Sequence, residues 1–340
     1  MLDRDIPIHF ETRARQLCTE GSRVVGVVAE QDGGRTVRYR ARKGVVICTG
    51  GFEWNQQLVK AFLRGPMTGP ISVPECEGDG LLMAMDVGAS LGNMSSAWWM
   101  TSSKESAAAH RDAKASFLPS QVERTFPGSI MVNRAGRRFV NEALNYNAIG
   151  FVLHNYDGDA YAFPNLPYWL IFDSRFLSKY RVFTSRPGDE APPWSKRADT
   201  LEELAEAVGI DGCALAATVE RFNAQVRAGH DDDFGRGDNT FDNFWGDQSF
   251  EPPFCTLGEI VQPPYYAIEM EPGVNGTCGG PRANEHAQVL DWNGTPIQGL
   301  YVGSNTMAAV TAGGYGGAGG TIGPGMTFGY LGGRHAALKG

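Results

Sequence analysis

Residues 299–340 read GLYVGSNTMAAVTAGGYGGAGGTIGPGMTFGYLGGRHAALKG, and the fold is decided there. The short apolar run at 300–302 predicts a strand. It enters a long glycine-rich turn that carries one tyrosine, Tyr315. Pro324 stands where a helix can begin, and residues 326–337 read as that helix. Backbone so dense in glycine can approach a ligand closely and present bare N–H groups. A strand, a glycine turn and a helix in this order have the shape of a cofactor cradle. Residues 314–319 (GYGGAG) match G-x-G-x-x-G by letter. A Rossmann fingerprint also requires a second strand and an acidic residue downstream, and no room for them follows.

The rest of the chain fits an α+β or α/β protein that buries its backbone. With 340 residues it has length for about two domains. Hydrophobic residues make up 42% and charged residues 20%, the balance of a globular protein. Net charge is −8 with no basic cluster, which argues against nucleic acid or an anionic membrane as partner. The six cysteines are scattered without a C-x-x-C pair, so neither a disulfide framework nor a zinc site is signalled. No two of the six histidines share ligand spacing, and no metal is expected. The polar start, the unpaired cysteines and the lack of a membrane-length apolar run suggest a cytoplasmic protein.

Upstream, residues 23–30 and 36–41 are β-rich runs around Gly33-Gly34, a hairpin signal. Residues 43–48 (KGVVIC) predict a buried strand that delivers Thr49-Gly50-Gly51-Phe52. Residues 55–63 and 80–92 predict helices, the second starting beside Gly78-Asp79-Gly80. Residues 102–110 are small and polar and read as a hinge. Thr200 with Glu203 fits a capping box, and Leu215, Val219, Phe222 and Val226 recur at helical spacing. Asp231-Asp232-Asp233 reads as a solvated loop, and Arg236-Gly237-Asp238 as a coincidence.

Taken together, Thr49-Gly50-Gly51-Phe52-Glu53, Gly78-Asp79-Gly80, Arg138-Phe139-Val140-Asn141-Glu142, Thr277-x-Gly279-Gly280, Gly303-Ser304-Asn305 and Tyr315-x-x-x-Gly319 resemble the fumarate reductase and 3-ketosteroid Δ1-dehydrogenase flavoproteins. The order and spacing of these motifs span nearly the whole chain. The resemblance implies a glutathione-reductase-like FAD-binding domain formed by residues 1–105 and 266–340. A substrate-capping domain would be inserted at 106–265. It implies FAD as cofactor, with contacts at Thr49, Gly50, Gly51, Phe52, Asp79, Gly80, Gly303, Asn305, Gly320, Thr321 and Ile322. It further implies that Tyr146, which follows R-F-V-N-E, removes the C2 proton of a 3-ketosteroid. The Tyr315 hydroxyl and the Gly319 N–H would form an oxyanion hole for the C3 oxygen. An unperturbed phenol titrates near 10, so tyrosinate needs a stabilising neighbour.

Two departures from the family pattern matter. Fumarate reductases carry a histidine and an arginine in the C-terminal turn to hold a dicarboxylate, and residues 312–333 contain neither. That favours a neutral, larger substrate, an apolar ketone and a steroid first, for which Trp98, Trp99, Phe117 and Phe126 are suitable walls; the electron acceptor is unidentified. The N-terminal ADP-binding βαβ segment of the family has no counterpart here. This chain alone is therefore expected to bind FAD poorly and to expose a sheet edge. A fumarate reductase-like or other CH–CH oxidoreductase, and an inactive remnant, stay open as alternatives.

Overall fold

The computed structural model describes residue 4 and residues 6–113 and 123–339, with side chains as far as residue 109 and from residue 123; Phe117 lies outside the described residues. Two compact units emerge. One contains the chain up to Leu63, Pro74–Trp98 and everything from Gly276; the other contains Arg64–Val73 and Trp99–Asn275.

In the first unit, Arg23–Gln31 and Arg35–Arg40 pair antiparallel around Asp32–Gly34, where Gly33 and Gly34 adopt φ of 80° and 76°. The expected hairpin is thus present. It gains a third strand, since Thr12–Glu20 pairs antiparallel with Arg23–Gln31. Beyond the hairpin, Val45–Ile47 runs parallel to Pro296–Val302 in the register Val45–Leu300 and Ile47–Val302. Gln288–Leu290 pairs antiparallel on the far side of Pro296–Val302. Ile47, Leu300 and Val302 point into a core with Leu17, Val24, Met83 and Ala84. The last helix, Ile322–Lys339, begins earlier than expected, since Pro324 falls in its first turn, where a missing N–H costs nothing. Gly332 lets this helix close on the sheet: a Cβ there would stand 3.2 Å from Ala287 and 3.4 Å from Tyr301.

The second unit is built on Tyr265–Thr277. Lys196–Ala198 and Tyr168–Asp173 flank that strand antiparallel, and Ser129–Asn133 continues the sheet beyond Tyr168–Asp173. The run YWLIFD is buried on both faces. Tyr168, Leu170 and Phe172 enter one apolar cluster, and Trp169 and Ile171 enter the other, as strand alternation requires. Gly212–Ala228 covers the second cluster with Leu215, Val219, Phe222 and Val226, and the Thr200–Glu203 capping box forms at Leu201–Val208. Gly69–Pro70 belongs here because it pairs in parallel with Gly273 and Val274. Instead of a hinge at 102–110, the chain continues the strand Ala97–Ser103 and then forms the helix Lys104–Ala113. Ser103 Oγ accepts from the Ser106 amide at 3.1 Å and so starts that helix.

Candidate functional site

At the carboxyl ends of the two parallel strands, the first unit gathers most of the expected cofactor residues. Ligands in open α/β sheets bind at this kind of place. The Gly303 amide donates to the Ile47 carbonyl at 3.0 Å, which continues the pairing of the two strand ends. Thr306 then bridges them. Its Oγ1 accepts from the Thr49 amide at 2.8 Å and donates to the Gly50 carbonyl at 3.0 Å. Thr49 Oγ1 in turn accepts from the Gly80 amide at 3.1 Å, at the start of the helix Asp79–Asp86. Thr306 was not legible as a site residue, because its partners are more than 250 positions away in the chain.

Three of these glycines are required by the protein itself. A Cβ on Gly50 would lie 2.6 Å from Cys76 Sγ; on Gly51, 2.3 Å from Thr277 Oγ1; on Gly80, 2.3 Å from Thr49 Oγ1. The Phe52 amide donates to Thr277 Oγ1 at 3.0 Å, and its ring is buried in edge contact with Phe62. Asp79 is held by Arg13 at 2.6 and 2.7 Å, an arrangement that Glu77 shares and that raises the Arg13 guanidinium pKa. Burial, reinforced by the Glu53 charge, pushes the neighbouring Cys278 thiol up to about 12.

The C-terminal turn is built differently. A Cβ on Gly316, Gly319 or Gly323 would meet no atom within 4 Å, and Gly317 and Gly319 adopt φ of 98° and 91°. Packing within the described chain gives no reason for glycine at 316 or 323, whereas a ligand lying against the backbone does. Ile322 and Met326 stand exposed beside the turn, at 67% and 72%. Open glycine backbone, a helix start and an apolar wall suit a flat heterocycle with an anionic portion, so these residues fit FAD. Gly320 has the opposite reason for being glycine, since its Cβ would stand 2.8 Å from Tyr315 Cε2. The half-buried Tyr315 ring also faces Trp98 at 6.3 Å. Trp98 shares a cavity of about 10 Å³ with Asn305, Thr311, Gly320 and Thr321, which brings Asn305 to the turn.

Tyr146 is carried by the second unit. It is the first residue of Tyr146–Leu153, is 9% exposed, and follows Asn145, whose Oδ1 caps the Asn147 amide at 2.8 Å. The R-F-V-N-E motif before it is a buried ionic network. Arg138 bonds Glu142 at 2.9 and 2.7 Å and Asp231 at 2.9 and 2.8 Å. Arg236 reaches Glu142 at 3.1 Å. Burial pushes the Glu142 carboxyl up, but Arg138 and then Arg236 outweigh it and hold it below the usual range; Asp231 is lowered against burial by Arg138. Asp231 is 1% exposed, which corrects the solvated-loop reading at that residue while Asp232 and Asp233 stand exposed; Arg236 is fully buried, so Arg236-Gly237-Asp238 presents no surface motif. Phe126, expected as a substrate wall, stacks on Tyr180 at 4.5 Å.

A parallel-strand cradle with a glycine turn and helix defines a nucleotide-cofactor protein. The chain belongs to the FAD binding domain family, which it matches over residues 1–322. It is 42% identical over 318 residues to a 4-oxocyclohexanecarboxylate 2-dehydrogenase of Sinomonas cyclohexanicum, covering 94% of this chain and 54% of that protein. Identity is 39% to a 3-oxosteroid 1-dehydrogenase of Mycobacterium tuberculosis, over 98% of this chain and 60% of that protein. The 3-ketosteroid delta1-dehydrogenase of Sterolibacterium denitrificans, solved in complex with 1,4-androstadiene-3,17-dione, superposes with a TM-score of 0.92 at 37% identity, covering 100% of this chain and 61% of that one. The chain therefore spans a little over half the length of these relatives. Among the described residues no helix is long and apolar enough to cross a membrane.

Proposed function

We propose that the intact protein desaturates a CH–CH bond next to a ring ketone, with a 3-oxosteroid as the first substrate to test. The observation that carries this is the turn at 314–320: a tyrosine seated on Gly320, open glycine backbone, and no cation. Bound FAD supplies the hydride acceptor, held by the Thr49–Phe52 and Gly303–Asn305 loops, Asp79-Gly80 and the turn Gly320-Thr321-Ile322. The chain's own residues handle the proton and the charge. Tyr146, as phenolate, takes the proton from the carbon next to the carbonyl. The Tyr315 hydroxyl and the Gly319 N–H donate to the carbonyl oxygen as it gains enolate charge. Fixed donors stabilise that charge more than they stabilise the ground state.

A dicarboxylate would find no histidine or arginine between residues 312 and 333, which sets the fumarate reductase reading second. The 3-oxosteroid and 4-oxocyclohexanecarboxylate enzymes share a cyclic ketone, and that is the substrate class assigned here. A cytoplasmic location is consistent with six cysteines that form no disulfide. The test is product analysis with a 3-oxosteroid and an artificial electron acceptor. A new ring double bond that Tyr315→Phe slows by about 100-fold supports the reading, in line with loss of one oxyanion donor. Reduction of fumarate without turnover of ring ketones would reverse the order of the two readings.

A further inference from the structure

Five ionisable side chains of the second unit are buried close to the sequence that leads into Tyr146: Arg124, Arg138, Glu142, Asp231 and Arg236, all at most 9% exposed. Arg138 and Arg236 each face a carboxylate. Arg124 does not. Among the described residues it makes no ion pair, and its buried Nε has no hydrogen-bond partner. Burial pulls its pKa down to about 10. The buried Glu123 and Asp242 carboxylates favour the charge but do not offset burial. A buried charge without a direct ion pair is expensive, and an apolar side chain of similar volume would fill the same space at lower cost.

What the guanidinium provides is a grip on the main chain. Its Nη1 donates to the carbonyls of Glu142 and, at 2.7 Å, Leu144. The same turn is fixed from within by Asn141 Oδ1, which accepts from the Ala143 amide at 2.8 Å. Just past Tyr146, Asn147 Oδ1 accepts from the Trp99 amide at 3.0 Å. The backbone is thus anchored on both sides of Tyr146, and Arg124 is the anchor on the approach.

We infer that Arg124 is a positioning residue for Tyr146, gripping the carbonyl oxygens of Glu142 and Leu144 so that the phenol oxygen meets the substrate carbon at a fixed place. The inference rests on Tyr146 as the base. Its test is a double-mutant cycle in the FAD-loaded intact protein, with Arg124→Lys, Tyr146→Phe and both together. A lysine keeps the charge but loses the planar, two-carbonyl grip. Arg124→Lys is expected to lower kcat by about tenfold with KM and FAD content unchanged, since displacement of reacting groups by a fraction of an ångström costs on this scale. In the Tyr146→Phe background it is expected to leave the residual kcat unchanged. The same fold-loss in both backgrounds would reduce Arg124 to a structural role and overturn the inference, as would no loss in the wild-type background. Full activity in Tyr146→Phe alone would instead remove the base assignment, a result separable from the other two.

Discussion

Replacing Gly320 by alanine perturbs Tyr315 without touching its hydroxyl. The added Cβ would lie 2.8 Å from Tyr315 Cε2 and 3.0 Å from the Gly317 carbonyl oxygen. Ordinary carbon contacts begin near 3.5 Å, so the ring must withdraw by about 0.7 Å or the turn must open. Overpacking of this size costs about 1–3 kcal/mol. For an oxyanion donor, a displacement of this order is expected to lower kcat by about 10- to 100-fold. The control is Gly333→Ala in the C-terminal helix that follows the turn, where a Cβ meets nothing within 4 Å. There alanine is expected to stabilise by about 0.5–1 kcal/mol with kcat unchanged. Steady-state kinetics with a ring ketone, alongside thermal unfolding of both variants, decides the matter. If Gly320→Ala keeps full kcat while Tyr315→Phe loses it, the seat of Tyr315 on Gly320 has no part in placing the hydroxyl, and the reasoning fails.

Other outcomes follow from the second unit. Glu142→Gln leaves two buried guanidiniums short of a carboxylate and is expected to cost about 3–5 kcal/mol in denaturant unfolding. Because the folded-state pKa values of Glu142 and Asp231 are depressed, their stabilisation is full above the ordinary carboxyl range near pH 4 and disappears as pH falls through the folded values. Acid unfolding monitored by tryptophan fluorescence should therefore move to higher pH in Asp231→Asn. Phe222→Ala removes a ring that is 1% exposed and lies 4.8 Å from the Arg138 guanidinium; a loss of about 3–5 kcal/mol is expected.

Local signals carried well from sequence to structure, and long-range ones did not. Gly33-Gly34, the Thr200–Glu203 box and the 215–226 periodicity each report on a few neighbouring residues, and each formed as expected. The glycines of the cradle were visible as a pattern. Their reasons were not, because Gly51 answers to Thr277 and Gly320 to Tyr315. Nothing local marks Asp231 as buried within a run of three aspartates. Its partner, Arg138, lies 93 residues away. The pairing of Gly69–Pro70 with Gly273 and Val274 has no sequence signature either, and it moves a segment of ten residues into the other unit.

The central claim is that a flavin accepts hydride from a ring ketone whose proton is taken by Tyr146 while Tyr315 holds the oxygen. Anaerobic mixing of the FAD-loaded intact protein with 4-androstene-3,17-dione tests it most directly, with flavin absorbance followed in time. The account expects rapid bleaching in the wild type and losses of about 100-fold or more in rate in Tyr146→Phe and in Tyr315→Phe, with FAD content unchanged. A flavin that stays oxidised with this ketone and with 4-oxocyclohexanecarboxylate, or one that bleaches at the same rate in both tyrosine variants, would contradict it.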